Sequence, residues 1–145
     1  MSDHHKETFI TKYIFSQDHK MIAKQFLITG MIMAVLGMLM SAVFRVQLAN
    51  PGESSFLYNL LPGSWINEVG ALNPDKYLAL VTMHGTILVF WVLTAGLSGT
   101  FANFLIPLQI GARDMASGFL NMLSYWFFFA ATIVLISSIY VQGGP

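Results

Sequence analysis

Apolar positions fall into three long blocks along this chain, separated by short polar stretches. Residues 25–44 carry no charge between Lys24 and Arg45. At about 1.5 Å per residue this run reaches about 30 Å, one hydrocarbon thickness. The second run, 77–112, is free of charge between Lys76 and Arg113. It is long enough to span with tilt or to protrude. Pro107 near its end marks where that helix stops or kinks. The third run begins after Asp114 and continues to about Tyr140, before Gln142-Gly143-Gly144-Pro145. The pattern predicts an all-α membrane protein, with three transmembrane helices of a larger helical bundle. Their expected limits are 25–45, 77–108 and 118–141.

The polar stretches set an expected orientation. Lys6, Lys12, Lys20 and Lys24 precede the first span, and Arg113 lies between the second and third. The other side carries Lys76 and the boundary residue Arg45. The positive-inside rule therefore places segment 1–24 and loop 109–117 in the cytoplasm or its equivalent. Loop 46–76 and the 142–145 end then face outward. The long loop is rich in Gly, Pro, Asn and Ser, so it reads as a connector with a short helical piece. A secretory signal does not fit, because the leader holds Asp3, Glu7 and Asp18 and the first run is too long.

Composition narrows the class. The chain is 55% hydrophobic and 10% charged, too apolar for a soluble domain, where charge is usually about 25%. Formal net charge is zero, which gives nucleic acid no attraction. There is no cysteine, so disulfides, thiolate metal sites and thiol nucleophiles are excluded. His4 and His5 sit in a polar tail and read as solvated.

Within the apolar blocks a few residues stand out. Gly30, Ala34, Gly37 and Ser41 form one helical stripe that admits a close neighbour, either a helix or a flat macrocycle. Gly96, Gly99, Ala102 and Asn103 do the same on the second span. His84 is the only histidine inside an apolar run, roughly 12 Å below the outer boundary if Lys76 marks it. A histidine in hydrocarbon is costly. Either it is hydrogen-bonded to a neighbouring helix, or it ligates a metal such as iron. Arg45, in the same leaflet, is either an interfacial anchor or a partner of whatever His84 binds. Asp114 is either a solvated partner of Arg113 or, with Asn103 and Asn121, the mouth of a hydrated proton path. Three helices cannot shield His84, Asn103 and Asn121 from lipid, so further helices or partner chains are expected.

Three blocks of residues resemble subunit I of the haem–copper respiratory oxidases. They are Asp18-His19-Lys20-Met21-Ile22, then Arg45-Val46-Gln47-Leu48-Ala49-Asn50-Pro51-Gly52, then Val81-Thr82-Met83-His84-Gly85. The third block continues through Asn103-Phe104-Leu105-Ile106-Pro107 and Arg113-Asp114-Met115 to Asn121. Against the family pattern, Ala23 stands where glycine is usual and Met122 where a second asparagine is frequent.

The resemblance implies roles by position. His84 matches an axial ligand of the low-spin haem, here haem a. Arg45 matches the arginine at that haem's periphery. Asp114 matches the aspartate at the mouth of a proton-uptake channel, and Asn103 and Asn121 match asparagines lining it. It also implies a proton-pumping terminal oxidase that carries electrons from cytochrome c to oxygen. The expected partners are the remaining helices of subunit I, subunit II and other oxidase subunits, and the lipid bilayer. A bacterial inner membrane is the expected location, with the mitochondrial inner membrane as the alternative. Copper and a second haem are expected from later helices, because the resemblance covers only the family's first three. The quinol-oxidising branch is a competitor, but its polar quinol-site residues are matched here by Leu36, Met40, Lys76 and Ala79. A membrane scaffold or transporter subunit without redox chemistry would explain the spans but not the spacing of Arg45, His84 and Asp114.

Overall fold

The computed structural model describes residues 9–51 and 56–141. His4, His5, Lys6 and the 142–145 end lie outside them. Three long apolar helices form the fold: α1 (His19–Ala49), α2 (Pro74–Gln109) and α3 (Gly118–Ser138). A short π-helical turn, Ile10–Ile14, precedes α1. No strand occurs among the described residues beyond an isolated Ile66–Leu72 bridge.

α1 starts six residues before the charge-free run, and the cause is local. Asp18 is extended, and its side chain accepts from the Lys20 N–H, capping the first turn. Lys20 and Lys24 sit on the exposed face while Ile22, Ala23 and Phe26 point inward. Charges four apart therefore continue the helix rather than end it. At about 1.5 Å per residue, α1 is longer than a hydrocarbon core is thick. Its inward stripe runs Ile22, Phe26, Thr29/Gly30, Met33, Gly37 and Val43.

α2 begins with Pro74 in its first turn, where a missing N–H costs nothing. Its middle, Ile87–Ser98, widens to π-helical bonding before α-helix resumes over Gly99–Gln109. The Thr94 hydroxyl follows that wider pitch and donates to the Val89 carbonyl, five residues back. Widening brings the Trp91 carbonyl against Gly96, where an added Cβ would lie 2.9 Å from it. The same Cβ would lie 3.1 Å from Gly30 Cα, so α1 and α2 touch backbone to backbone here. Gly99 likewise receives the Phe26 ring, which a Cβ would meet at 2.7 Å. The small-residue stripes thus serve helix packing at Gly30, Gly96 and Gly99. Pro107 lies inside α2, which ends two residues later, and Gly111 (φ 68°) turns the chain.

α3 starts at Ser117, whose side chain accepts from the Leu120 N–H. Two side-chain hydrogen bonds tie it in. Thr29 Oγ1 and Tyr125 OH are 3.1 Å apart, and the Trp91 indole donates to Thr132 Oγ1 at 2.8 Å. In hydrocarbon such pairs are worth about 1 kcal/mol each. Three buried clusters mark the packing. Ile22, Phe26 and Tyr125 lie near one end, Met33, Met83 and Ile87 in the middle, and Val43, Tyr58, Trp65, Leu72 and Leu80 at the other.

The α1–α2 connection is ordered over its described part. Gln47 Oε1 accepts from the Tyr58 hydroxyl and the Leu72 N–H, pinning the connection onto α1. It carries two short 3-10 turns, Phe56–Leu60 and Gly63–Trp65. Large apolar side chains such as Met38, Phe90, Phe127 and Val134 face outward on all three helices. A bilayer or further helices must solvate them.

Candidate haem-ligand and proton-uptake residues

His84 sits on α2 opposite the Gly37 stretch of α1. Its Nδ1 lies 2.8 Å from the Gly37 carbonyl oxygen. A carbonyl only accepts, so Nδ1 carries the proton and donates. Nε2 is then the nitrogen with the free lone pair. Gly37 lies in the close-packed face that α1 turns to α2. A Cβ there would lie 3.0 Å from Leu88 Cδ2, so a side chain at this position would crowd Leu88. The hydrogen bond to the neighbouring helix is present, and it occupies one ring nitrogen only. The half-buried imidazole packs edge-on against Phe44, with ring centroids 5.4 Å apart. Beside it, an added Cβ at Gly85 meets nothing within 4 Å, so bulk can approach there. A metal-ligating histidine usually has its second nitrogen held in this way. The donor set and the open neighbour fit a haem.

Arg45 follows Phe44 on α1, and its side chain is exposed. It joins no ion pair among the described residues. It and His84 are linked through Phe44 rather than by direct contact.

Asp114 lies in the α2–α3 turn at the opposite end. Among the described residues it forms no ion pair with Arg113; its partner is His19. The His19 ring Nδ1 is 2.9 Å from Asp114 Oδ1, and the His19 and Met115 N–H groups donate to the same oxygen. Burial pushes the carboxyl pKa up, but these three bonds and the nearby imidazole outweigh it. The net result holds Asp114 below the usual carboxylate range. Asp18, His19 and Asp114 place three ligand-type atoms within 4.8 Å of one another. A hollow of about 610 Å³ opens beside them, lined in part by Lys12, Ser16, Gln17, Asp18 and Asp114.

A depressed carboxylate stabilises the fold above its unfolded pKa, and that stability is lost as pH falls through the folded value. The link between the start of α1 and the turn is therefore expected to hold at neutral pH and to loosen in acid. His19→Ala removes the imidazole bond but keeps the backbone N–H. It is expected to move Asp114 titration upward, read from the carboxylate stretch in infrared difference spectra of the assembled complex. An unmoved titration would show that the backbone bonds alone set it.

The two asparagines each keep one buried amide atom without a partner. Asn103 Nδ2 donates to the Gly99 carbonyl at 2.7 Å, but Oδ1 has none. Asn121 Nδ2 likewise has none. The structure does not join the two amides directly. Such orphaned groups are costly unless water or a further chain reaches them.

Sequence reasoning did not assign His19 its contact with Asp114 or Gly37 its contact with His84. His19 carried a signal, as an imidazole directly after the capping Asp18.

Comparison with known proteins adds the family. The description "Cytochrome C and Quinol oxidase polypeptide I" matches residues 21–145. The alternative cytochrome c oxidase subunit 1 of Bradyrhizobium diazoefficiens is 40% identical over 142 residues, covering 98% of this chain and 22% of that protein. Cytochrome c oxidase subunit 1 of Cereibacter sphaeroides is 31% identical over 153 residues, covering 98% of this chain and 27% of its own. The haem–copper oxidase subunit I+III of Aeropyrum pernix is 35% identical over 136 residues, 94% of this chain and 15% of its own. The chain thus spans about a fifth of the length of the curated relatives it matches. With a family match over residues 21–145 and three long apolar helices, the chain belongs to the cytochrome c and quinol oxidase subunit I family, the haem–copper oxidases.

Proposed function

We propose that this chain supplies one axial ligand of the low-spin haem, haem a, and the mouth of a proton-uptake path to a cytochrome c oxidase. The observation that carries the reading is the His84–Gly37 hydrogen bond. It fixes the proton on Nδ1 and leaves Nε2 as a neutral, oriented donor inside a membrane span. Bound haem supplies one-electron transfer between its ferrous and ferric states. The protein's part is to hold the ring in place, exclude bulk water and bias the potential. Arg45 places a permanent positive charge in the same leaflet. On the other side Asp114, Asn103 and Asn121 handle protons.

Cytochrome c is the favoured donor, because Leu36 and Met40 are apolar where the quinol-oxidising branch is polar. The oxygen-reducing centre, with copper and a second haem, belongs to other parts of the complex, with subunit II and further subunits as partners. Lys6, Lys12, Lys20 and Lys24, before or in the first turns of α1, and Arg113 favour a cytoplasmic N-terminus in a bacterial inner membrane. The reading is tested by the reduced-minus-oxidised visible spectrum of the assembled complex. A low-spin haem band is expected, and a complex without one overturns the reading.

A second expectation concerns Arg45. A positive charge favours the more electron-rich, reduced haem. Arg45→Met is therefore expected to lower the low-spin haem potential, measured by spectroelectrochemical titration. An unchanged potential with an intact spectrum would make Arg45 a simple interfacial anchor.

A further inference from the structure

The segment before α1 has little means of holding itself in place. Ile10–Ile14 is one π-helical turn, and an isolated turn is too short to be stable alone. The last carbonyls of such a turn find no partner within it. Gln25, nearly two turns into α1, supplies one. Its Nε2 donates to the Tyr13 carbonyl at 2.8 Å and to the Ile14 carbonyl at 3.1 Å. Oε1 of the same amide is buried and has no partner among the described residues. A methionine would fill this place without an orphaned oxygen. What the amide adds is the hold on the turn.

Beyond the turn the segment leans on the start of α3. Phe15 stacks on Trp126, with ring centroids 5.1 Å apart. Gln17 lies against Gly118, where an added Cβ would meet the Gln17 carbonyl oxygen at 2.9 Å. Ser16 is buried, and its hydroxyl accepts from the Asp18 N–H at 3.2 Å. Five of the seven residues around the hollow at Asp114 belong to this segment: Lys12, Phe15, Ser16, Gln17 and Asp18. Most of the wall is therefore made by the segment and not by the membrane helices. Gln25 does not line the hollow, so it can act there only through the segment it holds.

We propose that Gln25 is a positioning residue for proton uptake: it holds segment 10–18 across the start of α3, where the segment walls the hollow in which Asp114 meets water. The inference rests on the reading of Asp114 as the mouth of the proton path. One helical turn cannot keep the wall in place by itself, so loss of the amide unseats the segment for much of the time. The water beside Asp114 then loses its enclosure, while His84 and its surroundings are untouched.

The test uses the assembled oxidase, with the visible spectrum of each variant as the check on assembly. Gln25→Met keeps length and bulk but has no N–H donor. Gln25→Lys keeps donors on a chain long enough to reach the same carbonyls. Gly118→Ala leaves α1 untouched and crowds the Gln17 carbonyl from the other side. Hydrogen exchange read by mass spectrometry follows the seating of residues 10–18, where the Phe15 N–H donates to the Ile10 carbonyl. Gln25→Met is expected to speed exchange there about tenfold, the size of two modest hydrogen bonds lost together. Its kcat is expected to fall severalfold while kcat/KM for oxygen holds, because a slower proton supply does not impede the capture of oxygen. Gly118→Ala is expected to act in the same direction, and Gln25→Lys to restore exchange and kcat together. Wild-type exchange in Gln25→Met overturns the proposal, and so does fast exchange with wild-type kcat. If Gln25→Met does not assemble, Gly118→Ala decides on the same two readings. Asp114→Asn measured alongside separates the two readings. Slow turnover there with wild-type kcat in Gln25→Met overturns the role of Gln25 alone, whereas wild-type turnover in Asp114→Asn overturns the proton path and this inference with it.

Discussion

Replacing His84 by alanine in the assembled oxidase is expected to abolish the low-spin haem band. The imidazole offers Nε2 as a neutral donor because Nδ1 is committed to the Gly37 carbonyl. Alanine removes both the ligand and the tie to α1. The lost hydrogen bond alone costs about 1 kcal/mol, too little to unfold three packed helices. A helix-packing role and a ligand role therefore predict different outcomes. His84→Asn sharpens the difference. Its amide N–H can still donate towards Gly37, but it has no imidazole nitrogen to bind iron. If His84 only joins α2 to α1, the asparagine variant retains the band. If His84 is the ligand, both variants lose it while the helices remain inserted. A band of unchanged position and intensity in either assembled variant would end the assignment.

Much of this was legible in the chain, and what was not has a common cause. The three helices follow from apolar runs, because a bilayer selects length and polarity rather than detailed packing. Gly30 and Gly96 were legible as small residues on long helices. Their mutual contact was not, because periodicity names a face without naming what it meets. Pairs distant in sequence were hidden for the same reason. His84 and Gly37 are 47 positions apart, and His19 and Asp114 are 95 apart. Asp114 was read against Arg113, its neighbour in sequence, or as part of a proton path. The fold returns the start of α1 to the α2–α3 turn and offers it His19 instead. The early start of α1 was missed because Lys20 and Lys24 precede the charge-free run yet already belong to the helix. The π-helical stretch Ile87–Ser98 was not legible either, since nothing in its apolar run separates it from the rest of the span.

Asp114→Asn is expected to slow turnover of the assembled oxidase about a hundredfold, the lower end for a positioned acid–base group. The argument rests on what asparagine keeps. Its amide oxygen can still accept from the His19 and Met115 N–H groups, so the turn stays folded. What it loses is the negative charge and the ability to take up and release a proton. Oxygen reduction consumes protons, and a centre buried in the membrane must draw them through the protein. A half-exposed carboxylate beside a hollow of about 610 Å³ can exchange protons with solvent quickly. Behind it, Asn103 Oδ1 and Asn121 Nδ2 each present a buried amide atom without a protein partner. An acceptor and a donor of this kind can orient water without titrating themselves. The haem spectrum should be nearly unchanged, because Asp114 lies in the turn beyond α2, 30 residues along the chain from His84. A variant that folds and shows its haem yet turns over slowly, or turns over without moving protons across the membrane, is the expected result. Wild-type turnover and pumping in Asp114→Asn would leave Asp114 as a helix-joining partner of His19 and nothing more.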